Sequence, residues 1–492
     1  MATTSAPPSG ATTAQRPERL TGRLGVGAVV FMVVAAAAPL TVVAGAVPIG
    51  IANGNGAAYP AMFAVSAVVL ALFAVGFTAM TRHVPNAGAF YSYIGVGLGR
   101  GAGLGSALVA LISYVTVQCA VYAYLGYATG ELVASWTGAS LPWWAWAWAL
   151  AGVAVAGWLG FRHIELSGRV LGVLLLAEIG IVLALDAAVV LRGGAEGAGL
   201  STALVEPSQL LSGAPGLGLM FAVAGFIGFE ATAVFRDEAR DPDRTIPVAT
   251  YVALALIGVF YTLSAWAVVS AFGDAEAVQV ATADPGSMVA VAAQRYLGTA
   301  ASDVLQVLLL TSLFAAVLSF HNVLARYAFS LARARVLPAA AGASHARHGS
   351  PHVASLATTA VGAAVLVVCA LAGLDPVMEV FTWLSGVATV GIIALMLLTC
   401  IAVLVFFRRA RVDRRPWNTL VAPALGLLGL GGALALVVVN LPLLMGGSVA
   451  LGVGTGVLLL VALGAGWVLA AARPAAAAEL LLTPRAEGAP QI

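Results

Sequence analysis

Two carboxylates, a proline and a pair of glycines stand where the sequence is otherwise almost wholly apolar. Glu230 follows Gly225 and Gly228 in the run Ala222-Val223-Ala224-Gly225-Phe226-Ile227-Gly228-Phe229-Glu230-Ala231. Glycine tolerates dihedrals closed to other residues, so this segment can unwind and expose backbone to a ligand. An acid inside an apolar stretch is a functional candidate by default; the blander reading makes Glu230 a structural acid that hydrogen-bonds broken backbone in the first apolar run, and both roles are compatible. Glu178 lies between Leu174-Leu175-Leu176-Ala177 and Ile179-Gly180-Ile181. Burial penalises the charged form of a carboxylate, which makes Glu178 a candidate for carrying a coupling proton. Its alternative is a structural acid paired to a backbone group or hydroxyl. The third place is Val33-Val34-Ala35-Ala36-Ala37-Ala38-Pro39-Leu40-Thr41. Pro39 removes a backbone donor and clashes with the preceding turn, the alanines leave room for a ligand or a close helix, and Gly45 and Pro48 loosen the outer half of the run. Here the alternative is a proline kink with small-residue packing.

The solvent around these groups can be read from composition. Of 492 residues, 61% are hydrophobic and 9% charged, with mean hydropathy +1.00, whereas soluble domains carry about 25% charged residues. Too few ionic side chains remain to cover a water-facing surface, so hydrocarbon is the solvent for much of the chain. The net charge of +2 gives no sign of a nucleic-acid partner, and all 23 basic residues are arginine. Cys119, Cys369 and Cys400 lie in apolar runs and offer neither a disulfide framework nor metal spacing. Arg16, Arg19 and Arg23 before the first apolar run resemble a signal peptide. That run is about twice the length of a signal-peptide core, and many more come after it, so cleavage is not expected. The stretches 1–20 and 473–492 are expected to be disordered cytoplasmic tails.

A span needs about 20 largely apolar residues. Twelve stretches qualify: 24–51, 57–81, 104–134, 142–161, 170–191, 215–235, 246–272, 301–330, 353–374, 377–407, 418–440 and 444–472. With both termini cytoplasmic, alternate connections collect every arginine except Arg192 and Arg295, which puts 21 of 23 inside. Miscounting by one helix would break this alternation midway. The expectation is an all-α protein of the cell membrane with twelve spans. The long outer loop 273–302, with Asp274, Glu276 and Asp284 and a helix-compatible stretch at Ser287–Tyr296, reads as a lid or as an ordinary connection.

The two interrupted runs fall in spans 1 and 6. These occupy matching places if spans 1–5 (21–214) and 6–10 (215–410) are two repeats, with spans 11 and 12 (411–472) added. Paired interruptions at corresponding positions point to a transporter binding site, and an odd number of spans per repeat inverts one half across the membrane.

Three segments resemble the amino acid–polyamine–organocation transporter family. Gly225-Phe226-Ile227-Gly228-Phe229-Glu230 continuing to Asp237-Glu238-Ala239-Arg240-Asp241-Pro242-Asp243-Arg244-Thr245-Ile246-Pro247 is similar to its sixth-helix signature and the loop after it. Val84-Pro85-Asn86-Ala87-Gly88-Ala89-Phe90-Tyr91-Ser92-Tyr93 resembles its loop after helix 2. Arg326-Tyr327-Ala328 through Arg333, then Val336-Leu337-Pro338 to Pro351, resembles its loop after helix 8. The likeness extends over about residues 22–470. It implies an inverted five-plus-five (LeuT-like) repeat with two added C-terminal helices, and alternating access around a midplane site. It also implies that half-helix ends in spans 1 and 6 hold the substrate's carboxylate and amine. Glu230 matches the family acid and Ile227 a substrate-contacting aliphatic. Ala36-Ala37-Ala38-Pro39-Leu40-Thr41 departs from the G-S-G-I type break of many members. Ala224 stands where the arginine/agmatine exchanger branch has a gating aromatic, so a gate would fall to Phe226, Phe229 or another helix. Some members carry a lysine in this part of helix 5, where Glu178 gives the opposite charge.

Substrate candidates are therefore Ala36, Ala37, Ala38, Pro39, Leu40, Thr41, Gly225, Phe226, Ile227, Gly228, Phe229 and Glu230, with Glu178 for coupling. Tyr114 could offer a hydroxyl or merely pack between helices, and Trp383 could cap the site or pack in the core. Ser312 and Ser319 could ligate an ion or bond to their own helix. His321 reads as structural. Asp186 and Trp143, Trp144, Trp146 and Trp148 lie near the outer face, where an interfacial belt explains the aromatics. No Ser/His/Asp set, zinc spacing or phosphate loop appears, so no catalytic role, metal or cofactor is expected. A channel would favour rings of like charge. A polyamine needs several carboxylates around one pocket, whereas only Glu230 and Glu178 offer themselves. A proton-coupled amino acid transporter is thus preferred to a polyamine or organic-amine importer or an exchanger.

Overall fold

A computed structural model of the chain describes residues 24–84, 89–162, 168–333, 335–343 and 351–474. Pro85, Asn86, Ala87 and Gly88 of the second motif lie outside the described residues, as do Arg347, the expected tail 1–20 and all but the start of the tail expected at 473–492. Among the described residues twelve helices are long and apolar enough to cross a membrane, and there is no strand. They are Val26–Asn53, Pro60–Thr81, Arg100–Thr137, Trp144–Arg162, Val170–Leu191, Pro215–Ala233, Pro242–Phe272, Thr299–Arg333, His352–Leu371, Pro376–Ala410, Trp417–Leu444 and Val449–Ala472. We call them the first to twelfth spans.

All twelve expected spans are present, with local shifts that have local causes. The twelfth starts at Val449 instead of 444. Gly446 and Gly447 both adopt positive φ and turn the chain, and the Ser448 hydroxyl then accepts from the Leu451 amide. The third span runs for 38 residues, about 57 Å at 1.5 Å per residue, so it tilts or projects beyond about 30 Å of hydrocarbon. The stretch after span 2, read from the sequence as a loop, contains a helix at Ala89–Leu98. The expected lid segment folds as two short helices, Asp274–Ala283 and Met288–Leu297.

The arginine pattern reappears in space. Arg82 donates to the Asp243 carbonyl at 2.9 Å, and Arg236 pairs with the Asp243 carboxylate at 2.9 Å. The His83 ring packs on Phe406 and Phe407, and Arg473 donates to the Arg335 carbonyl. Nearby, the Arg415 guanidinium holds the Asp413 carboxyl down to about 2. Arg192 and Arg295, which the alternation set apart, meet each other on the opposite side, where Arg192 donates to the Arg295 carbonyl at 3.2 Å. We refer to these as the arginine-rich and arginine-poor sides.

The sixth span is the most enclosed, with 83% of its apolar window buried, against 28% for the fourth, fifth, ninth, eleventh and twelfth. The peripheral helices present Leu428, Val439 and Leu460 outward, as helices bathed in lipid do. The first and sixth spans are both broken. Helix Val26–Ala36 stops, Ala38 takes a left-handed conformation (φ 46°), and helix resumes at Pro39. Proline disfavours a right-handed helical conformation in the residue before it, and a left-handed non-glycine residue costs about 1–2 kcal/mol. About two and a half turns after Pro39, Pro48 has no amide to give the Ala44 carbonyl, and the Tyr124 hydroxyl supplies the bond at 2.8 Å. The π-helical turn Val42–Ala46 covers the same stretch. In the sixth span, helix Pro215–Ala224 ends at the Gly225–Gly228 segment, where Gly228 has φ 111°, and a 3₁₀ helix continues at Phe229–Glu238.

These geometries predict that Ala38→Val and Gly228→Ala each lower the thermal midpoint of the detergent-purified protein, at a cost of about 1–2 kcal/mol. Ala38→Gly should raise it. Equal midpoints for all four proteins in a thermal-unfolding series would show that neither break uses a left-handed residue.

Candidate functional site

Both breaks open onto one cavity of about 70 Å³. A water needs about 10–15 Å³ on this measure, so the space accepts roughly five water-sized groups, the scale of a small solute. Ala36, Ala37, Ala38, Thr41, Val42 and Ala46 of the first span form one wall, and Phe221, Ala224, Gly225 and Ile227 of the sixth form another. Val117 and Val121 of the third span, Ala316 and Phe320 of the eighth, and Phe381, Ser385 and Thr389 of the tenth complete it. No charged side chain is among these lining residues, and the polar ones are hydroxyls.

The polarity of the cavity comes from the backbone. Ala36 closes the helix Val26–Ala36, and Leu40 and Thr41 lie in the first turn of the helix that resumes at Pro39, where carbonyls and amides have no partner within their own helix. The first-span break therefore offers a helix C-terminus with a carbonyl and, beside it, a helix N-terminus with amides. The first pole attracts a cation and the second an anion. The Ala37 carbonyl is taken by the Tyr261 hydroxyl at 3.3 Å, which steadies the unwound stretch.

Aromatic groups cover both ends. Toward the arginine-poor side, Phe381 packs against Tyr124 with ring centroids 5.1 Å apart, and Tyr124 stacks on Tyr127 at 6.3 Å. Gly45 permits this cover, since a Cβ there would lie 2.9 Å from the Tyr124 ring. Toward the arginine-rich side, Phe320 packs on Tyr114 (6.3 Å), Tyr114 on Tyr327 (5.8 Å) and Tyr327 on Tyr91 (5.6 Å).

Glu230 stands behind the wall, not in it. Its carboxylate accepts from the Gly228 amide at 2.8 Å and from the Tyr114 hydroxyl at 3.0 Å, with 4% of the residue exposed. The acid thus ties the sixth-span break to the third span, and the backbone it bonds is that of its own break and not of the first.

Glu178 occupies a separate position on the other face of the first-span break. It shares a small cavity of about 20 Å³ with Ala35, Ala38, Thr311 and Ser312. Its carboxyl interacts with the Ser312 hydroxyl and the Leu40 amide, while Thr41 donates to Ser312 at 3.1 Å. Thr41 therefore borders the large cavity and, through Ser312, the surroundings of Glu178.

Of the sequence candidates, Ala36, Ala37, Ala38, Thr41, Gly225 and Ile227 line the cavity together. Pro39, Leu40, Tyr114, Phe226, Gly228, Phe229, Glu230 and Trp383 do not. Phe226 packs on Phe63 and Tyr261, and Phe229 on Phe73, so the aromatic covers come from other helices. Trp383 faces the turn at Gly446, and His321 bonds Ser355 at 2.8 Å. Phe320, Phe381 and Ser385 went unnoticed in the sequence. In a span apolar on every side, nothing local says which aromatic faces inward.

The fold is that of a polytopic helical membrane protein with a cavity between two broken spans. Over residues 28–477 the chain matches the family model described as amino acid permease, and it belongs to that family. No curated protein matches the chain significantly. Membership makes it a membrane transporter of amino acids or related amines, in accord with the resemblance carried by the sixth-span signature.

Removing the Tyr114 hydroxyl takes the side-chain donor from a buried carboxylate. Tyr114→Phe is expected to destabilise the protein by about 1–3 kcal/mol, read as a lower thermal midpoint. An unchanged midpoint would show that the Tyr114–Glu230 bond contributes nothing to the fold.

Proposed function

We propose that this permease is a secondary active carrier that moves a neutral amino acid across the cytoplasmic membrane by alternating access, coupled to protons. The observation that carries the reading is the cavity wall: helix ends of both polarities and no charged side chain. An α-amino acid zwitterion presents a carboxylate and an ammonium a few ångströms apart, matching the amide and carbonyl ends of the first-span break. Val117, Val121, Phe221 and Ile227 suit an apolar side chain. A polyamine would need carboxylates in the wall, and Glu230 is held behind it by Gly228 and Tyr114.

In this reading the arginine-rich side is cytoplasmic and both termini lie there. The halves 21–214 and 215–410 act as inverted repeats, with 411–472 appended. The aromatic groups at Phe381–Tyr124 and at Phe320–Tyr114 open in turn.

Glu178 supplies the coupling. Its carboxylate and the substrate's carboxylate compete for one half-helix N-terminus. Two negative charges about 6–8 Å apart at an effective dielectric of about 20 repel by about 2–3 kcal/mol, which is about 30- to 100-fold in affinity. Protonating Glu178 removes the repulsion, and linkage requires that substrate in turn favour the protonated state. Substrate affinity therefore rises as pH falls through the titration of Glu178.

Two measurements test this. In a ligand-stabilisation screen of amino acids, monoamines and polyamines, apolar amino acids should raise the thermal midpoint; stabilisation by diamines alone overturns the substrate assignment. In proteoliposomes, uptake of radiolabelled L-alanine, L-valine and L-leucine should be saturable and stimulated by an inward proton gradient. Glu178→Gln should abolish that stimulation, keep exchange and bind substrate independently of pH. An unchanged pH dependence in Glu178→Gln removes Glu178 from the mechanism.

A further inference from the structure

A second carboxyl lies inside the same helix as Glu178 and has no part in the coupling at the first-span break. Asp186 sits in the fifth span, one turn or so from its arginine-poor end at Leu191, and is buried to 9% exposure. Its Oδ2 accepts from the Ser264 hydroxyl of the seventh span at 2.8 Å, and its Oδ1 has no partner. A carboxylate charge at membrane depth with one donor and one bare oxygen is expensive unless a proton or cation joins it. Nothing structural demands an acid here, because a neutral amide would accept the same Ser264 bond.

The surroundings supply no counter-charge. The helices packed against the fifth span are the first span, which brings no titratable side chain within Val26–Asn53, the seventh and eighth spans and the short helix Met288–Leu297. On the short helix, Arg295 pairs with Glu276 at 3.1 Å and lies over Phe272, while Tyr296 donates to the Ala271 carbonyl and stacks under Arg192. On the eighth span, Ser312 faces Glu178, His321 bonds Ser355, and Asp303 makes no salt bridge among the described residues. On the seventh span, Tyr261 lies one turn below Ser264. Its hydroxyl reaches the Ala37 carbonyl in the first-span break.

Asp186 is eight residues beyond Glu178, about 12 Å along the helix axis and about a quarter-turn around it. The order from the arginine-poor side inward is Asp186, Ser264, Tyr261, Glu178 and the break, with the two carboxyls on one helix and the two hydroxyls on its neighbour. We propose that Asp186 is a second proton-carrying group of the transport cycle, which takes the coupling proton on the arginine-poor side and passes it toward Glu178. The step balances as one proton lost from the Asp186 carboxylic acid and one gained by the Glu178 carboxylate. The negative charge moves from Glu178 to Asp186, where a proton from water on that side removes it. The Ser264 and Tyr261 hydroxyls lie between them, since the separation is too long for a direct transfer. The proposal rests on proton coupling at Glu178.

The test measures proton influx with an entrapped pH dye after adding L-alanine, L-valine and L-leucine to proteoliposomes, alongside exchange of the same labelled substrates. Asp186→Asn should slow substrate-driven proton influx at least tenfold while exchange stays within twofold and the pH dependence of substrate affinity, set by Glu178, persists. Asp186→Glu should recover most of the influx. A merely structural Asp186 would lower influx and exchange together, and that result overturns the proposal. Should Asp186→Asn not fold, Ser264→Ala carries the same comparison: a selective loss of influx supports the relay, and an unchanged ratio of influx to exchange overturns it. Glu178→Gln run in parallel separates the two readings. If it leaves influx intact, coupling at Glu178 itself fails; if it abolishes influx and Asp186→Asn does not, coupling stands and the relay falls.

Discussion

Every backbone amide and carbonyl at membrane depth must find a partner, and the organisation of this protein depends on where that requirement is met by something other than helix. Ten of the twelve spans satisfy it with unbroken helix, π-helical in the opening turns of the tenth and eleventh. The first and sixth do not, and their breaks are held from outside: the Tyr261 hydroxyl takes the Ala37 carbonyl, the Tyr124 hydroxyl the Ala44 carbonyl, and Glu230 the Gly228 amide. Ala36 and Thr41, at the facing helix ends of the first-span break, border the cavity. In the proposed reading a solute that brings both a cation and an anion would bond to those ends without any buried charged side chain.

The three intramembrane acids differ in how fully they are engaged. Glu230 accepts from Gly228 and Tyr114. Glu178 meets the end of a half-helix at Leu40 and the hydroxyl of Ser312. Asp186 has one donor and one bare oxygen. The sequence shows all three as isolated acids in apolar runs. Only their partners tell them apart, and each partner except Gly228 comes from a distant segment.

That distinction explains how much was legible in the sequence. The twelve spans could be read because hydrocarbon thickness imposes a length on apolar runs, and because arginines mark alternate connections. Pro39 and Gly228 announced the breaks because the constraint is local: one lacks an amide, and the other takes a backbone angle that a Cβ would oppose. The cavity wall was half legible for the same reason. Ala36, Ala37, Ala38, Thr41, Gly225 and Ile227 belong to the unwound stretches themselves. Phe320, Phe381, Ser385 and the Thr41–Ser312 bond were hidden, since a helix apolar all round carries no periodic signal to show which side meets protein and which meets lipid. Glu230 stands out by its neighbours in sequence, whereas its partner Tyr114, 116 residues away, does not.

The central claim is that the cavity between the two broken spans is where substrate sits during transport. Its most direct test is thiol accessibility in a variant lacking Cys119, Cys369 and Cys400 and carrying Ser385→Cys, with a membrane-impermeant maleimide applied to oriented vesicles. The account predicts slow labelling that a saturating apolar amino acid suppresses in proportion to its occupancy, while a cysteine at Leu428 on the lipid-facing surface shows no such protection. Labelling at position 385 that is indifferent to any amino acid, in a protein that still transports, would contradict it.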